Sequence, residues 1–395
     1  ETLRPGDEVM VASFDRSLHI RHPFTSDPDR VFSALSDLEG NTGYALEREM
    51  ERMEKIKTIY ETNSLHSALF QATSFADVTR DDMSQSLNGL RELLDSLAGL
   101  PGRKMLIHVS DGIPSVPGQD LFQAVQQRFV DQSALSEAMA YDLSQRYVEL
   151  AALANSNRVS FYTIDASGLR TGSGMGAENP AINNVQGVSS AVEMVRTSNL
   201  QDTLIDMADR TGGQAIFNTN DVADGLKRFA RDFENFYSLG YRAPTLDRGR
   251  YHRIEVQLKE RPKGWRIRHR EGYRDKSIGM QIEDAVASYF VHGYTTNPLE
   301  AAIDLGPQID NEDGTWQVPI RVRFPMSKIT LLPRPGFHQG QVRLYFAASD
   351  EAGAQSPLGE MPMELRIPDE SLEMARQDEV ARIIDLTMKP GPHRL

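Results

Sequence analysis

Two acidic residues stand directly after apolar runs that read as buried strands: Asp111 after Lys104–Val109 (KMLIHV) and Asp165 after Val159–Ile164 (VSFYTI). Open α/β sheets bind ligands in the crevice beyond the carboxyl ends of parallel strands. A carboxylate there, with hydroxyls nearby, suits Mg²⁺, which takes oxygen ligands and keeps several waters. The competing reading makes Asp111 a turn or capping residue ahead of Gly112, and spacing alone favours it. The same two acids around a metal-activated water would make a hydrolase, although nothing in the spacing requires one. His108 beside Ser110-Asp111 supplies the residue types of a Ser/His/Asp triad. No Gly-x-Ser-x-Gly elbow is present, however, and His108 lies inside an apolar strand, so it reads as a sheet histidine.

Other candidates carry less. Gly172–Ala177 (GSGMGA) fits a loose dinucleotide fingerprint but does not follow its strand directly, and Pro180 blocks a helix from opening there. It reads as a loop insertion. The histidines include no His-x-x-x-His pair. Arg261, Lys263, Arg266, Arg268, His269 and Arg270 form a basic cluster, expected to be a solvated face or an intramolecular contact to acidic surface. No paired carboxylates stand out for acid–base work.

Composition narrows the classes. The absence of Cys excludes a disulfide scaffold, Cys-ligated metal sites and a cysteine nucleophile. A net charge of −13 argues against a protein that tracks nucleic-acid phosphates. No apolar run approaches the roughly 18 residues of a membrane span. The length of 395 residues allows two to three domains. The chain opens on Glu1 and not Met, which is read here as the mark of a fragment or a processed protein.

The elements that must position these residues alternate in type. Val9–Phe14 is expected as a buried strand, with Leu18–Arg21 as its hairpin partner. A helix capped by Ser26 or Asp27 follows, with Pro28 in its first turn and Val31, Phe32, Leu35 and Leu38 as its apolar face. Residues 44–75 read as a charged helical stretch, a solvated helix or half of a helical hairpin. Leu87, Leu90, Leu94 and Leu97 repeat at helical spacing before Gly99–Gly102 (GLPG) stops the helix. Further helices are expected over 121–155, 200–210 and 221–236, with a short strand at Ala215–Phe217. This order predicts a mainly parallel sheet covered on both faces. Tyr251–Leu258 and Gly264–His269 are expected to form a hairpin, and Ile278–Tyr289 a bridging helix. Alternation at Trp316, Val318, Ile320, Val322 and Phe324, with strands at 342–347 and 363–367, predicts a β-sandwich.

Taken as a series, these motifs carry a resemblance. Leu97–Lys104 (LAGLPGRK), Ser110-Asp111-Gly112, Asp165–Leu169 (DASGL), Leu204–Gly213 (LIDMADRTGG), Phe217–Asp221 (FNTND), Tyr237–Tyr241 (YSLGY), Tyr251–Val256 (YHRIEV) and Arg270–Tyr273 (REGY) occur in order. Over residues 3–275 the chain resembles a bacterial family of von Willebrand factor A-related proteins. The resemblance implies a doubly wound, mainly parallel α/β domain over 1–275, with a helical insertion at about 43–75. A linking helix at 276–298 and an immunoglobulin-like sandwich at 299–395 would follow.

It implies a non-enzymatic protein-binding or adhesive role, with an unidentified protein ligand and a secreted or periplasmic location. Metal-binding members use Mg²⁺ or Mn²⁺, and a partner carboxylate completes the shell. On that pattern Asp111 is the candidate ligand, and Thr79, Ser84 or Ser86 lies near a threonine position. The Asp-x-Ser-x-Ser segment of such members is absent, so the first strand is expected to be missing. The last strand, after Pro390-Gly391, is expected to be cut short. The alternatives are the metal-assisted hydrolase around Asp111 and Asp165, and a structural envelope protein without a ligand.

Overall fold

The computed structural model describes residues 6–38, 45–168, 189–241, 249–260, 262–293, 297–351 and 353–395. The chain divides into two compact units, Glu1–Gly279 and Met280–Leu395.

The first unit opens with an antiparallel hairpin of β1 (Val9–Asp15) and β2 (Ser17–Thr25). Only Val11 of β1 is buried, so the expected buried strand is a half-covered ribbon. Helix α1 (Pro28–Ser36) starts as expected, with Asp27 Oδ1 accepting from the Asp29 amide at 3.0 Å and Pro28 in the first turn. Its apolar face is corrected: Phe32 is 72% exposed and Leu35 is also exposed, while Ala34 is the buried residue.

Two helices follow, α2 (Ala45–Glu61) and α3 (Leu65–Ser96). They pack on each other as a helical hairpin. The hairpin reading of the charged stretch is met, but one face of α2 is buried where solvation was expected. Ile56 and Ile59 are fully buried against Ala68, Ala72, Phe75 and Ala76, and α3 runs unbroken past residue 75 to Ser96. Most of the charge lies on the other faces, but Arg52 is buried at the junction with α4 (Gln119–Phe129) and α7 (Ser190–Thr211). Its guanidinium donates to Asp120 at 2.6 Å, Glu193 at 2.7 Å and Glu49 at 2.9 Å, and Arg196 also pairs with Glu49. Burial alone would lower the Arg52 pKa; Asp120, Glu49 and Glu193 together reverse this and raise it. A charge so far from water persists only when it is caged in this way.

The core sheet is parallel: β3 (Lys104–Ser110), β4 (Val159–Asp165) and β5 (Ala215–Ile216), in that spatial order. The connection from β3 to β4 is a set of helices, not one. After α4 come α5 (Ser133–Ala138) and α6 (Ser144–Ser156). Val130 at φ 54° ends α4, and the Asp131 and Asp142 carboxylates accept from the Ser133 and Ser144 amides to start the later pieces. One face of the sheet packs through Leu106 and Phe161 against α3, α6 and α7, where Leu94, Leu204 and Met207 are fully buried. Each such side chain contributes about 1.5–3 kcal/mol. The other face packs through Tyr162, Ile164 and Ile216 against Phe229 of α8 (Val222–Glu234). Among the described residues β3 is an edge strand, with Ile107 and Val109 exposed, so its expected burial is also corrected.

A short antiparallel pair closes the unit, β6 (Tyr251–Arg253) with β7 (Gly272–Arg274). The expected partner, Gly264–His269, is not in this pairing. Helix α9 (Ile278–His292) extends the predicted 278–289 helix by a few residues.

The second unit is antiparallel. One sheet holds β8 (Ala302–Leu305), β9 (Ile309–Asp310), β10 (Trp316–Pro325) and β15 (Glu379–Met388). A second holds β11 (Leu332–Arg334), β12 (Phe337–Phe346) and β14 (Gly359–Pro368). Phe324 and Val380 from the first meet Met363, Leu365 and Ile367 from the second in one core. The inward alternation read from Trp316–Phe324 is realised at Val318, Ile320 and Phe324. The final strand, β16 (His393–Arg394), pairs with β13 (Ser349–Asp350), so the residues after Pro390-Gly391 are held in a ladder.

Candidate functional site

The parallel register sets Ser110 beside Asp165, so both candidate acids stand at the carboxyl end of the sheet. β3 turns sharply there. The Ser110 Oγ accepts from the Gly112 amide at 3.3 Å, and Gly112 takes φ 110°. A Cβ at Gly112 would lie 2.7 Å from the Leu200 Cβ, so only glycine lets this turn approach α7. The Ile113 amide donates to the Leu200 carbonyl at 3.3 Å.

Asn199 fixes the rest of the loop. Its Oδ1 accepts from the Ser115 hydroxyl at 2.8 Å and the Val116 amide at 3.0 Å, and its Nδ2 donates to the Val116 carbonyl at 2.8 Å. Asp111 thus sits exposed on a turn anchored on both sides. Asp165 is 2% exposed. One of its oxygens accepts from the Ser167 amide at 3.1 Å and from the Ser167 hydroxyl, and the other from Gln201 Nε2 at 2.9 Å.

The hydroxyl candidates do not join them. Thr79 is buried on α3. The Ser84 hydroxyl accepts from Arg146 at 2.7 Å, and the Ser86 hydroxyl donates to the Asp82 carbonyl one turn back. Among the described residues no group of three or more His, Asp or Glu side chains is placed to hold a metal ion. Asp111 with these hydroxyls does not form a metal shell by itself.

His108 has a covered Nε2 with no partner, and burial holds its pKa down to about 4. The ring is therefore neutral near pH 7, and among the described residues no Ser or Asp side chain bonds its Nε2. Gly172–Ala177 lies outside the described residues. Within the basic cluster Arg266 pairs with Asp209 at 2.8 Å and Arg268 with Asp232 at 2.5 Å, while Arg261 lies outside the described residues.

Sequence reading missed Asn199, Gln201, Asn155 and Asn157, all inside or just after helical runs. Buried amides there are a signal in retrospect, because a helix interior offers Asn little unless its side chain reaches another element. Asn157 donates to the Leu94 carbonyl at 2.9 Å and Asn155 to the Arg210 carbonyl at 3.0 Å, so this corner ties the ends of α3 and α7 to α6.

Compared with protein-family models, curated proteins and solved structures, the chain matches none. What the structure itself defines is a mixed α/β unit with a small parallel sheet and a second, antiparallel unit. No helix among the described residues is long and apolar enough to cross a membrane.

Proposed function

We propose that the chain is a non-enzymatic protein-binding module of the von Willebrand factor A type, with the sandwich unit as an appended immunoglobulin-like domain. On this reading the three parallel strands belong to a doubly wound sheet, and the turn at Asp111 is its contact surface. The observation that carries the proposal is the exposure of Asp111 on a fixed turn. Asp111 is held exposed on a turn anchored by Asn199 and Leu200, while Asp165 is spent on Ser167 and Gln201. A pre-organised exposed carboxylate serves recognition, since little ordering cost remains on binding. An occupied, buried carboxylate is poorly placed for acid–base work, which leaves the hydrolase reading with less support.

A divalent ion such as Mg²⁺ or Mn²⁺ at Asp111 would need oxygen ligands other than Thr79, Ser84 and Ser86. An extracellular or periplasmic location follows from the same resemblance and stands with it. The test is a quantitative pull-down from bacterial envelope extract with the wild type and Asp111→Ala, each with and without chelator. A partner retained by the wild type and lost with Asp111→Ala supports the module. Retention independent of Asp111 overturns it, as does turnover in a broad phosphatase and esterase screen. Loss on chelation adds the metal, and calorimetry with Mg²⁺ and Mn²⁺ then checks that directly.

A further inference from the structure

The amino end of the same sheet holds a different kind of cluster. Lys104 opens β3, Arg158 sits between α6 and β4, and Arg270 precedes β7; the Lys104 amide donates to the Arg158 carbonyl at 3.1 Å, which places the first two side by side. α3, α6 and α7 all end at this rim, because each leads into a strand or its approach, and their terminal carbonyls carry partial negative charge. That accounts for part of the cluster. Arg270 donates to the Asn155 carbonyl in the last turn of α6 at 3.2 Å, with its guanidinium over the Tyr273 ring, and the Lys104 ammonium donates at 2.7 Å to the Leu100 carbonyl in the turn that follows α3.

It does not account for Arg158. This residue is exposed, takes φ 58°, and makes no side-chain hydrogen bond or ion pair among the described residues. Its side chain acts on the neighbouring cations by repulsion. Lys104 is held down to about 8, first by removal from water and then by Arg158 and Lys276. Arg270 is lowered by burial first and by Arg158 next. Among the described residues no carboxylate is among the charges that shift either group. Nearby arginines are treated differently: Arg210, Arg266 and Arg268 each have an acid. In a chain of net charge −13, three cations left together without one are a cost that a ligand would offset.

Gly212 helps set the geometry. It caps α7 at φ 74°, and a Cβ there would lie 2.7 Å from the His269 carbonyl carbon and 2.9 Å from the Arg270 nitrogen. The segment bearing Arg270 therefore lies directly on the end of α7.

We infer that Lys104, Arg158 and Arg270 form a binding site for a small phosphate-bearing anion, a site separate from the turn at Asp111 and independent of the function proposed for it. Two guanidinium forks and an ammonium suit a doubly charged tetrahedral oxyanion, which can take several charge-assisted hydrogen bonds at once.

The test is calorimetry and thermal denaturation of the full chain with inorganic phosphate and pyrophosphate, at ionic strength held constant with chloride. Saturable binding and a rise in Tm are expected. Arg158→Gln should weaken that binding roughly tenfold or more. The same variant should raise the Tm of the phosphate-free protein, because it removes repulsion, and this also shows that it folds. A destabilised phosphate-free Arg158→Gln overturns the inference, since the cation would then be structural. So does the lack of saturable binding up to roughly 20 mM phosphate, or binding unchanged in the variant. Citrate bound as tightly as phosphate overturns the assignment to phosphate.

Discussion

At the carboxyl end of β4, Asp165 gives both oxygens to Ser167 and Gln201, and the acid left exposed is Asp111 on a braced turn. At the amino end of β3 and β4, Lys104 leans on a carbonyl of the turn after α3 and Arg270 on a carbonyl of α6, while the Arg158 side chain makes no such bond among the described residues. One sheet thus ends in a rim where a buried carboxylate is satisfied by neutral donors and in another where like charges are held together. The difference follows from chain direction. Helices that feed parallel strands bring their carbonyl ends to the amino rim, so cations collect there for stability. Whatever exceeds that need is open to a ligand.

Four substitutions and pH changes would break or sharpen this contrast. Gly212→Ala should have the largest effect. It forces a side chain into left-handed backbone and against the backbone at His269 and Arg270, for a loss of about 3 kcal/mol in chemical denaturation. An unchanged midpoint would mean that the amino rim is not built on this contact.

Asp165→Ala comes next. It strands the Ser167 and Gln201 donors and should cost about 1–3 kcal/mol, with Asp165→Asn recovering part of it. If removing the carboxylate instead stabilised the protein, Asp165 would be a reserved functional acid and the two rims would be alike.

His108 gives a smaller, pH-dependent effect. Its folded pKa of about 4 lies below the ordinary 6.5, so the unfolded chain binds a proton that the folded chain refuses. The associated stability is present above pH 6.5 and is lost as pH falls through 4. The size is on the order of 2 kcal/mol, discounted because the residue as a whole is only partly buried. His108→Leu should flatten that part of the stability–pH profile.

Lys104 should show the smallest effect, at the alkaline end. Its pKa of about 8 lies below the ordinary 10.5, so its contribution is present above pH 10.5 and is lost as pH falls through 8. The difference between wild type and Lys104→Met, followed by denaturation across that window, isolates it. No difference would remove the repulsion that distinguishes the amino rim.

The parallel strands β3 and β4 were legible because each is an apolar run that ends at an acid, with helical stretches between them. The sandwich strand at Trp316–Pro325 was legible from strict alternation. Burial was less so. Phe32, Leu35, Ile107 and Val109 are apolar at the expected spacing yet exposed, because burial depends on what packs opposite, and spacing does not encode that. The reverse error fell on α2, where charge density hid Ile56, Ile59 and Arg52. The site divides in the same way. Asp111 and Gly112 are adjacent in sequence and could be read as a turn. Asn199 lies 83 residues from the Val116 carbonyl it holds, and Arg270 lies 115 from Asn155. A cation cluster assembled across such distances leaves no local pattern.

The Arg52 cage also says something about the order of events in folding. Its partners lie at Glu49, Asp120 and Glu193, so the contacts span 3, 68 and 141 residues of chain. An isolated α2 can make only the first, in water, where it is worth little. The others form only after α4 and α7 have docked and water has left, which places the cage late on the folding route. Substitutions there should speed unfolding and leave the refolding rate nearly untouched. The cage would then act as a latch on the folded state, setting how long it lasts more than how fast it is reached.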